Sequence, residues 1–323
     1  MIKNLEIENF KSIKHLKLDC KRINLFIGEP NTGKSNILET LSLLSYQYYG
    51  DLENFVRFEN MNNLFYNENL EENLTIKTDN TILEINFNHG SFKGRCLEVD
   101  SELFNFNYDY SGHGTGRSSG HLKSPCKFYK FAIRRDFPRK EPDFLLPPSG
   151  ANLLAILQTH KGLRSTVNQI FMQSGLRLVF EPQEDKIKVL KSSEDTLVLF
   201  PYFLASDTLQ RISFYLTAID SNKNSVLVFE EPESHAFPYY TKFLAERIAL
   251  DKANNQYFIA THNPYLLLSI IEKARKDEVA IFITYFEDYQ TKVKLLSEKE
   301  LSEIMDMGID IFFNIERFLE VKE

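Results

Sequence analysis

With 323 residues, 43% of them apolar and 26% charged, the chain is long enough for one large or two modest globular domains. Its net charge of −7 excludes a protein that coats nucleic acid over its whole surface, so any such contact must come from a local patch. Cys20, Cys96 and Cys126 are widely spaced with no C-x-x-C pair, so neither a zinc site nor a disulfide framework is indicated, and they read as reduced thiols.

The N-terminus, "MIKNLEIENFKSIKHLKL", alternates apolar and charged residues and lacks the apolar core of a signal peptide. It predicts a strand pair, followed by the buried strand "RINLFIG". Next, "KSNILETLSLLS" places Ile37, Leu38, Leu41 and Leu44 on one helical face. Residues 50–100 alternate as antiparallel strands do, and the Gly/Ser-rich stretch "DYSGHGTGRSSGHLKS" predicts a mobile loop. From residue 150 the pattern turns helical and ends at Gly175, a C-cap residue. A hairpin, "RLVFEPQEDKIKVLK", precedes a capped helix, "SDTLQRISFYLTAI". Two strand–helix units follow, and a final hairpin carries a terminal helix. The longest apolar runs, such as "VAIFITYF", are strand-length and far short of a membrane span, so a cytoplasmic protein without membrane contact is expected. Strands alternating with helices at both ends predict an α/β fold whose sheet closes only when the two ends of the chain meet.

The stretch "GEPNTGKS" matches G-x-x-x-x-G-K-[ST] and lies between an apolar strand and an amphipathic helix, the context a phosphate-binding loop requires. Gly28, Glu29, Pro30, Asn31, Thr32, Gly33, Lys34, Ser35 and Asn36 are therefore candidate nucleotide-binding residues. Lys34 would reach the β- and γ-phosphates, and Ser35 would be a Mg²⁺ ligand. Such a loop also needs an acid at the end of a second apolar strand and a carboxylate to orient the attacking water. "VLVFEEPE" supplies both: Glu230 for the metal, through a water, and Glu231 as general base. Glu233 has two readings, a solvated loop acid or a metal-linked group. "FIATHNP" is a third strand that ends in polar residues, where His262 is placed to hydrogen-bond the γ-phosphate. The "NKNS" at residues 222–225 has Ser225 where a guanine-reading motif needs aspartate, which favours adenine.

In this order and spacing, "LEIENFKSI" with "GEPNTGKSN", then "VFEEPESHAFP" and "IATHNPYLL", resemble the ATP-binding cassette heads of the RecF, SMC and OLD-like ATPases. The resemblance implies Mg²⁺-dependent ATP hydrolysis in a homodimer that sandwiches ATP, each phosphate loop facing a signature helix from the partner. Here that helix is "SDTLQRISFYL", with Ser206 as its phosphate-facing cap; Asp207 and Thr208 replace the usual glycines. Glu230 stands where aspartate is commoner. The metal-contacting glutamine of the family is not identifiable, since Gln47 lies too early. Few residues follow "THNPYLL", so an ATPase without the nuclease domain of full OLD proteins is expected, acting on DNA or on a separately encoded effector in repair or phage defence. A nucleotide-binding switch with little turnover is the alternative.

The expected division is an ATPase core of residues 1–49 and 196–323 with an inserted α+β lid or arm at 50–195. Within the insertion, residues 121–140 carry Lys123, Lys127, Lys130, Arg134, Arg135, Arg139 and Lys140 with interleaved Phe and Tyr. This stretch reads either as a nucleic-acid patch or as a solvated face.

Overall fold

The structure, a computed structural model, describes residues 1–99, 101–119, 126–193, 195–307 and 312–319. β1 (Asn4–Phe10) and β2 (Ile13–Asp19) form a hairpin, and β3 (Ile23–Gly28) runs into α1 (Lys34–Leu43). The strands β4 (Leu74–Thr78), β5 (Thr81–Asn88), β6 (Ser91–Glu98), β7 (Ser101–Tyr108) and β8 (Gly114–Ser118) extend the hairpin into an antiparallel sheet of order β2-β1-β4-β5-β6-β7-β8. After β9 (Cys126–Tyr129) come α2 (Leu153–Thr159) and α3 (Lys161–Met172), then β10 (Leu176–Glu181), β11 (Lys186–Ser193) and β12 (Thr196–Pro201), which pair as a small antiparallel sheet. The chain continues as α4 (Asp207–Ser221), β13 (Val226–Glu230), α5 (Pro238–Ala249), β14 (Gln256–Ala260) and α6 (Pro264–Lys273). It ends with β15 (Val279–Glu287), β16 (Gln290–Leu295), α7 (Glu298–Met307) and α8 (Ile315–Leu319).

The central sheet has the order β16-β15-β3-β14-β13-β9 and is parallel throughout except for β16. Parallel strands covered on both faces are buried at every position rather than at alternate ones, and β3, "INLFIG", is buried at all six, its one polar side chain, Asn24, bonding the Lys21 and Tyr257 carbonyls. Ile23, Leu25, Ile27, Leu227, Phe229, Tyr257 and Ile259 face one core with α4, α5 and α6. The alternate residues Phe26, Val226, Val228, Phe258 and Phe282 face a second core, formed with α1 and the inner side of the antiparallel sheet. The phosphate-loop helix is thus clamped between two sheets.

Hydrogen bonding crosses the expected boundaries at residues 49/50 and 195/196. β1 pairs with β4, and β9 pairs with β13, so the segment expected as an insertion supplies strands to both large sheets. The physical reason is edge satisfaction: β1 and β13 each have a second row of backbone donors and acceptors, which β4 and β9 fill. The helix expected over 150–175 is two helices. His160 leaves helical geometry (φ −99°, ψ 88°) and its Nε2 lies 2.8 Å from the Pro142 carbonyl. The Gly/Ser-rich stretch expected as a loop contains β8, whereas its residues 120–124 lie outside the described residues. Gly116 of β8 has the side chain of Gln47 in the space where a Cβ would stand, so composition there serves close approach.

Candidate functional site

The site lies at the carboxyl ends of β3, β13 and β14, the edge where open parallel sheets place their ligands. Gly28 ends β3 at φ 148°, and a Cβ there would overlap the Thr284 backbone and side chain. Asn31 (φ 63°) and Gly33 (φ 96°) lie in the left-handed region, which turns successive N–H groups inward to form an anion-binding nest. Gly33 is the N-cap of α1, and Thr291 of β16 fills the space its side chain would need. Thr32 Oγ1 bonds the Glu29 carbonyl at 2.8 Å and lies 2.6 Å from Thr284 Oγ1, so β15 braces the loop from outside. Lys34 is buried, and its Nζ donates to the carbonyls of Gly28 (2.9 Å) and Glu29 (2.6 Å). Burial pushes its ammonium down to about 8, against the opposing charges of Glu231 and Glu29.

The three carboxylates of "EEPE" take three different positions. Burial pushes Glu230 up, but the Ser35 hydroxyl, Lys130 and Arg57 outweigh it and hold the carboxyl below its ordinary value. Lys130 Nζ is 3.3 Å away and Arg57 Nη2 3.8 Å. Ser35 and Glu230 therefore join a hydroxyl to an ionised carboxylate at the mouth of the loop. These are hard oxygen donors, and they fit Mg²⁺. Glu231 stands at φ 44°, fixed by its N–H to the Ala260 carbonyl (3.0 Å) and by Ser234 Oγ donating to its Oε2 (2.9 Å). Its Oε1 lies 3.5 Å from His262 Nε2. Burial and the charge of Lys34 lower the His262 pKa against the pull of Glu231, which keeps the ring neutral and able to offer one N–H. Glu233 is not a solvated loop acid. It is only 4% exposed, the Thr261 hydroxyl donates to its Oε1, and its Oε2 has no partner.

The structure thus brings Gly28–Asn36, Glu230, Glu231 and His262 to one edge. It places Ser206 at the start of α4, where its side chain accepts the Leu209 N–H at 3.3 Å. Thr208 Oγ1 donates to the His235 carbonyl at 2.8 Å, which ties that helix end to the loop after β13. A cavity of about 320 Å³ is lined by Arg211 and Tyr215 of α4 and by Glu230, Glu231 and Ser234.

Sequence reasoning missed the cations around Glu230 and the acid behind them. Glu39, buried on α1, is bonded by Lys11 and by Arg57 Nε at 2.8 Å. An acid one turn after Ser35, set between the apolar Leu38 and Leu41 of the buried helix, was the available signal. Gln47 bonds the hydroxyls of Tyr46 (3.0 Å) and Tyr108 (2.9 Å), so it is engaged elsewhere. Of the basic stretch, residues 121–125, including Lys123, lie outside the described residues. Lys127 is buried, with Nζ on Asn222 Oδ1 (2.5 Å) and Ser225 Oγ (3.1 Å). Lys130 serves Glu230, while Arg139 and Lys140 pair with Glu141 and Asp185. Arg134 bonds Ser149 Oγ at 2.9 Å, and Arg135 lies over the Phe203 ring.

A strand–loop–helix phosphate cradle, a carboxylate strand two places along the sheet and a histidine strand between them define a P-loop ATPase of the ATP-binding cassette type, similar to SMC, RecF and OLD-like heads. The chain belongs to the AAA ATPase domain family, which matches residues 1–192. A second family, described as "AAA domain, putative AbiEii toxin, Type IV TA system", matches residues 152–269. No curated protein matches in sequence. In fold, the chain is similar to an SMC head bound to the C-winged helix domain of ScpA, at 15% identity and TM-score 0.57, over 93% of this chain and 99% of that one. It is also similar to the Smc head domain with an extended coiled coil bound to the C-terminal domain of ScpA derived from Pyrococcus furiosus. That likeness has 13% identity and TM-score 0.55, over 95% of this chain and 99% of the other. Among the described residues, no helix is long and apolar enough to cross a membrane.

Proposed function

We propose that the chain hydrolyses ATP with Mg²⁺ and uses the cycle to close two copies on a separately encoded protein partner. The observation that carries the reading is the convergence of Lys34, Ser35–Glu230 and the Glu231–His262 pair on one edge of the sheet. Lys34 leaves the loop carbonyls for the β- and γ-phosphates, which replace their partial charges with full ones. Bound Mg²⁺ would supply charge neutralisation between those phosphates, held by Ser35 and, through a water, Glu230. Glu231, at the mouth of the loop, orients a water and takes its proton as the oxygen attacks the γ-phosphorus and the bond to the β-phosphate oxygen breaks. His262, neutral, donates to the γ-phosphate oxygens.

Closure on a second copy is supported by exposed apolar side chains beside the Ser206 helix end: Leu204, Phe237 and Tyr239. A protein partner is favoured over DNA at residues 126–140, because the cations described there already have carboxylate, hydroxyl, amide or aromatic partners within the chain. The ScpA-bound SMC heads are fold relatives in keeping with a protein partner.

The test is Glu231→Gln. It should retain MgATP, lose turnover by at least about a hundredfold, and accumulate an ATP-dependent dimer in light scattering. Wild-type turnover in this variant would move the base elsewhere. The Lys34→Ala protein, expected to bind no ATP, serves as the control.

A further inference from the structure

We propose that Tyr289, at the tip of the β15–β16 hairpin, is the platform on which the base of the bound nucleotide stacks. The proposal rests on the nucleotide reading above and extends it to the end of the ligand remote from the chemistry.

The sheet order fixes the direction of the ligand. β3 lies between β14 on one side and β15 on the other, with β13 beyond β14 and β16 beyond β15. Glu231 and His262, which attend the γ-phosphate, follow β13 and β14. A triphosphate lying along the loop with its γ end on that side must send its nucleoside toward β15 and β16.

On that side the chain has assembled a braced corner. Thr291 of β16 donates its N–H to the Ser12 carbonyl at 2.7 Å, and the Thr291 and Ser12 hydroxyls lie 2.7 Å apart. Asn36, at the start of α1, donates from Nδ2 to Ser12 Oγ at 2.7 Å. Thr291 also packs against Gly33 closely enough to exclude any side chain there. The hairpin is therefore held against the first turn of the phosphate-loop helix. Tyr289, in the turn two residues before Thr291, lies about 7 Å along the chain from that contact.

Two features of Tyr289 point to a ligand. It is 84% exposed, which no packing role requires of so large an aromatic ring. It also occupies an unfavourable backbone position. Glu287 and Gln290 pair across a two-residue turn, and its residues Asp288 (φ 50°) and Tyr289 (φ 62°) are both left-handed. A turn of this kind favours Asn-Gly, and a Tyr at its second position carries steric strain with no compensating burial. The Tyr66 hydroxyl donates to the Tyr289 carbonyl at 3.2 Å, which further fixes the turn. An exposed ring on a braced turn, on the nucleoside side of a phosphate loop, matches the π-face of a nucleobase, and stacking of this sort tolerates any base.

The test uses the full chain and three substitutions at Tyr289. Each leaves the backbone carbonyl for Tyr66 and removes no core side chain. Tyr289→Ala should weaken MgATP and MgADP binding about tenfold, with magnesium tripolyphosphate bound as by the wild type. Tyr289→Phe should bind all three as the wild type does. The chain has no tryptophan, so Tyr289→Trp provides a single reporter, whose fluorescence should be quenched by ATP and ADP and not by tripolyphosphate. Wild-type ATP affinity in Tyr289→Ala, equal loss for tripolyphosphate, or a Trp reporter silent to saturating ATP would each overturn the stacking role while leaving the phosphate site standing. A wild-type protein that binds neither ATP nor tripolyphosphate would overturn both.

Discussion

Replacing Glu233 by glutamine removes a buried titratable proton while preserving the oxygen that accepts from Thr261. In the native protein, burial is the largest influence on this carboxyl and raises it from 4.5 to about 7, with the charge of Glu231 adding to the rise and the Thr261 hydroxyl opposing it. Tyr215 also senses the Glu233 charge, and burial raises that phenol out of the working range. The folded protein therefore binds this proton more tightly than the unfolded chain does. The stabilisation is complete below about pH 4.5 and is lost as pH rises through about 7. At 1.36 kcal/mol per pH unit, the interval corresponds to about 3 kcal/mol. Carboxyls held low, such as Glu230 and Asp79, drive the opposite trend, so the comparison must be between proteins rather than along one curve. Urea unfolding of wild type and Glu233→Gln at several pH values between 4.5 and 8, without nucleotide or Mg²⁺, supplies it. The stability difference, wild type minus variant, should fall by about 3 kcal/mol across that range. Parallel curves would mean that Glu233 is ionised in the fold and that its unpartnered Oε2 has a cation or donor it meets only in solution.

Two further substitutions probe the surroundings and the proposed dimer. Glu39→Ala leaves the nearly buried Lys11 without its carboxylate and frees Arg57, so it should cost about 3 kcal/mol in urea unfolding; a loss below 1 kcal/mol would show that water satisfies Lys11. Ser206→Arg should block closure yet spare ATP binding, and mixing it with Lys34→Ala should restore part of the ATPase rate, because the mixed dimer keeps one intact composite site in two. No recovery, with mixed dimers shown to form, would confine hydrolysis to a single subunit.

The phosphate loop was legible because its chemistry is local: nine consecutive residues carry the strand end, the turn and the helix start. Glu231 and His262 were legible for a similar reason, each lying two residues beyond a run of buried strand residues. What could not be read was whatever arrives from far along the chain. Arg57 lies in a segment with no period, and only folding brings it to Glu230, 173 positions later. Lys127 shows how a local pattern misleads. Alternating cations and aromatics in "KFYKF" look like a nucleic-acid face, but β9 is an edge strand of the central sheet. Its lysine turns inward to Asn222 and Ser225, residues that close the turn before β13. Glu233 is the reverse case, an acid whose loop position suggests solvent and whose partner, Thr261, follows the end of β14.

The α4 helix joins the two halves of the proposed cycle. Its first turn is bonded to the loop after β13 through Thr208 and the His235 carbonyl, and one face meets the end of β13 where the Tyr215 hydroxyl donates to the Glu230 carbonyl at 3.3 Å. Asp207, in place of a glycine, pairs with Arg211 one turn on, and the Arg211 guanidinium lies over the Phe131 ring. A helix held at these points cannot shift its N-terminus without pulling on the loop that carries Glu231, whose φ of 44° is maintained only by neighbouring bonds. Contact between Ser206 and a partner's nucleotide would therefore bear on the geometry of the base in its own subunit. That link runs through Thr208 and Tyr215 and requires no glycine at positions 207 and 208.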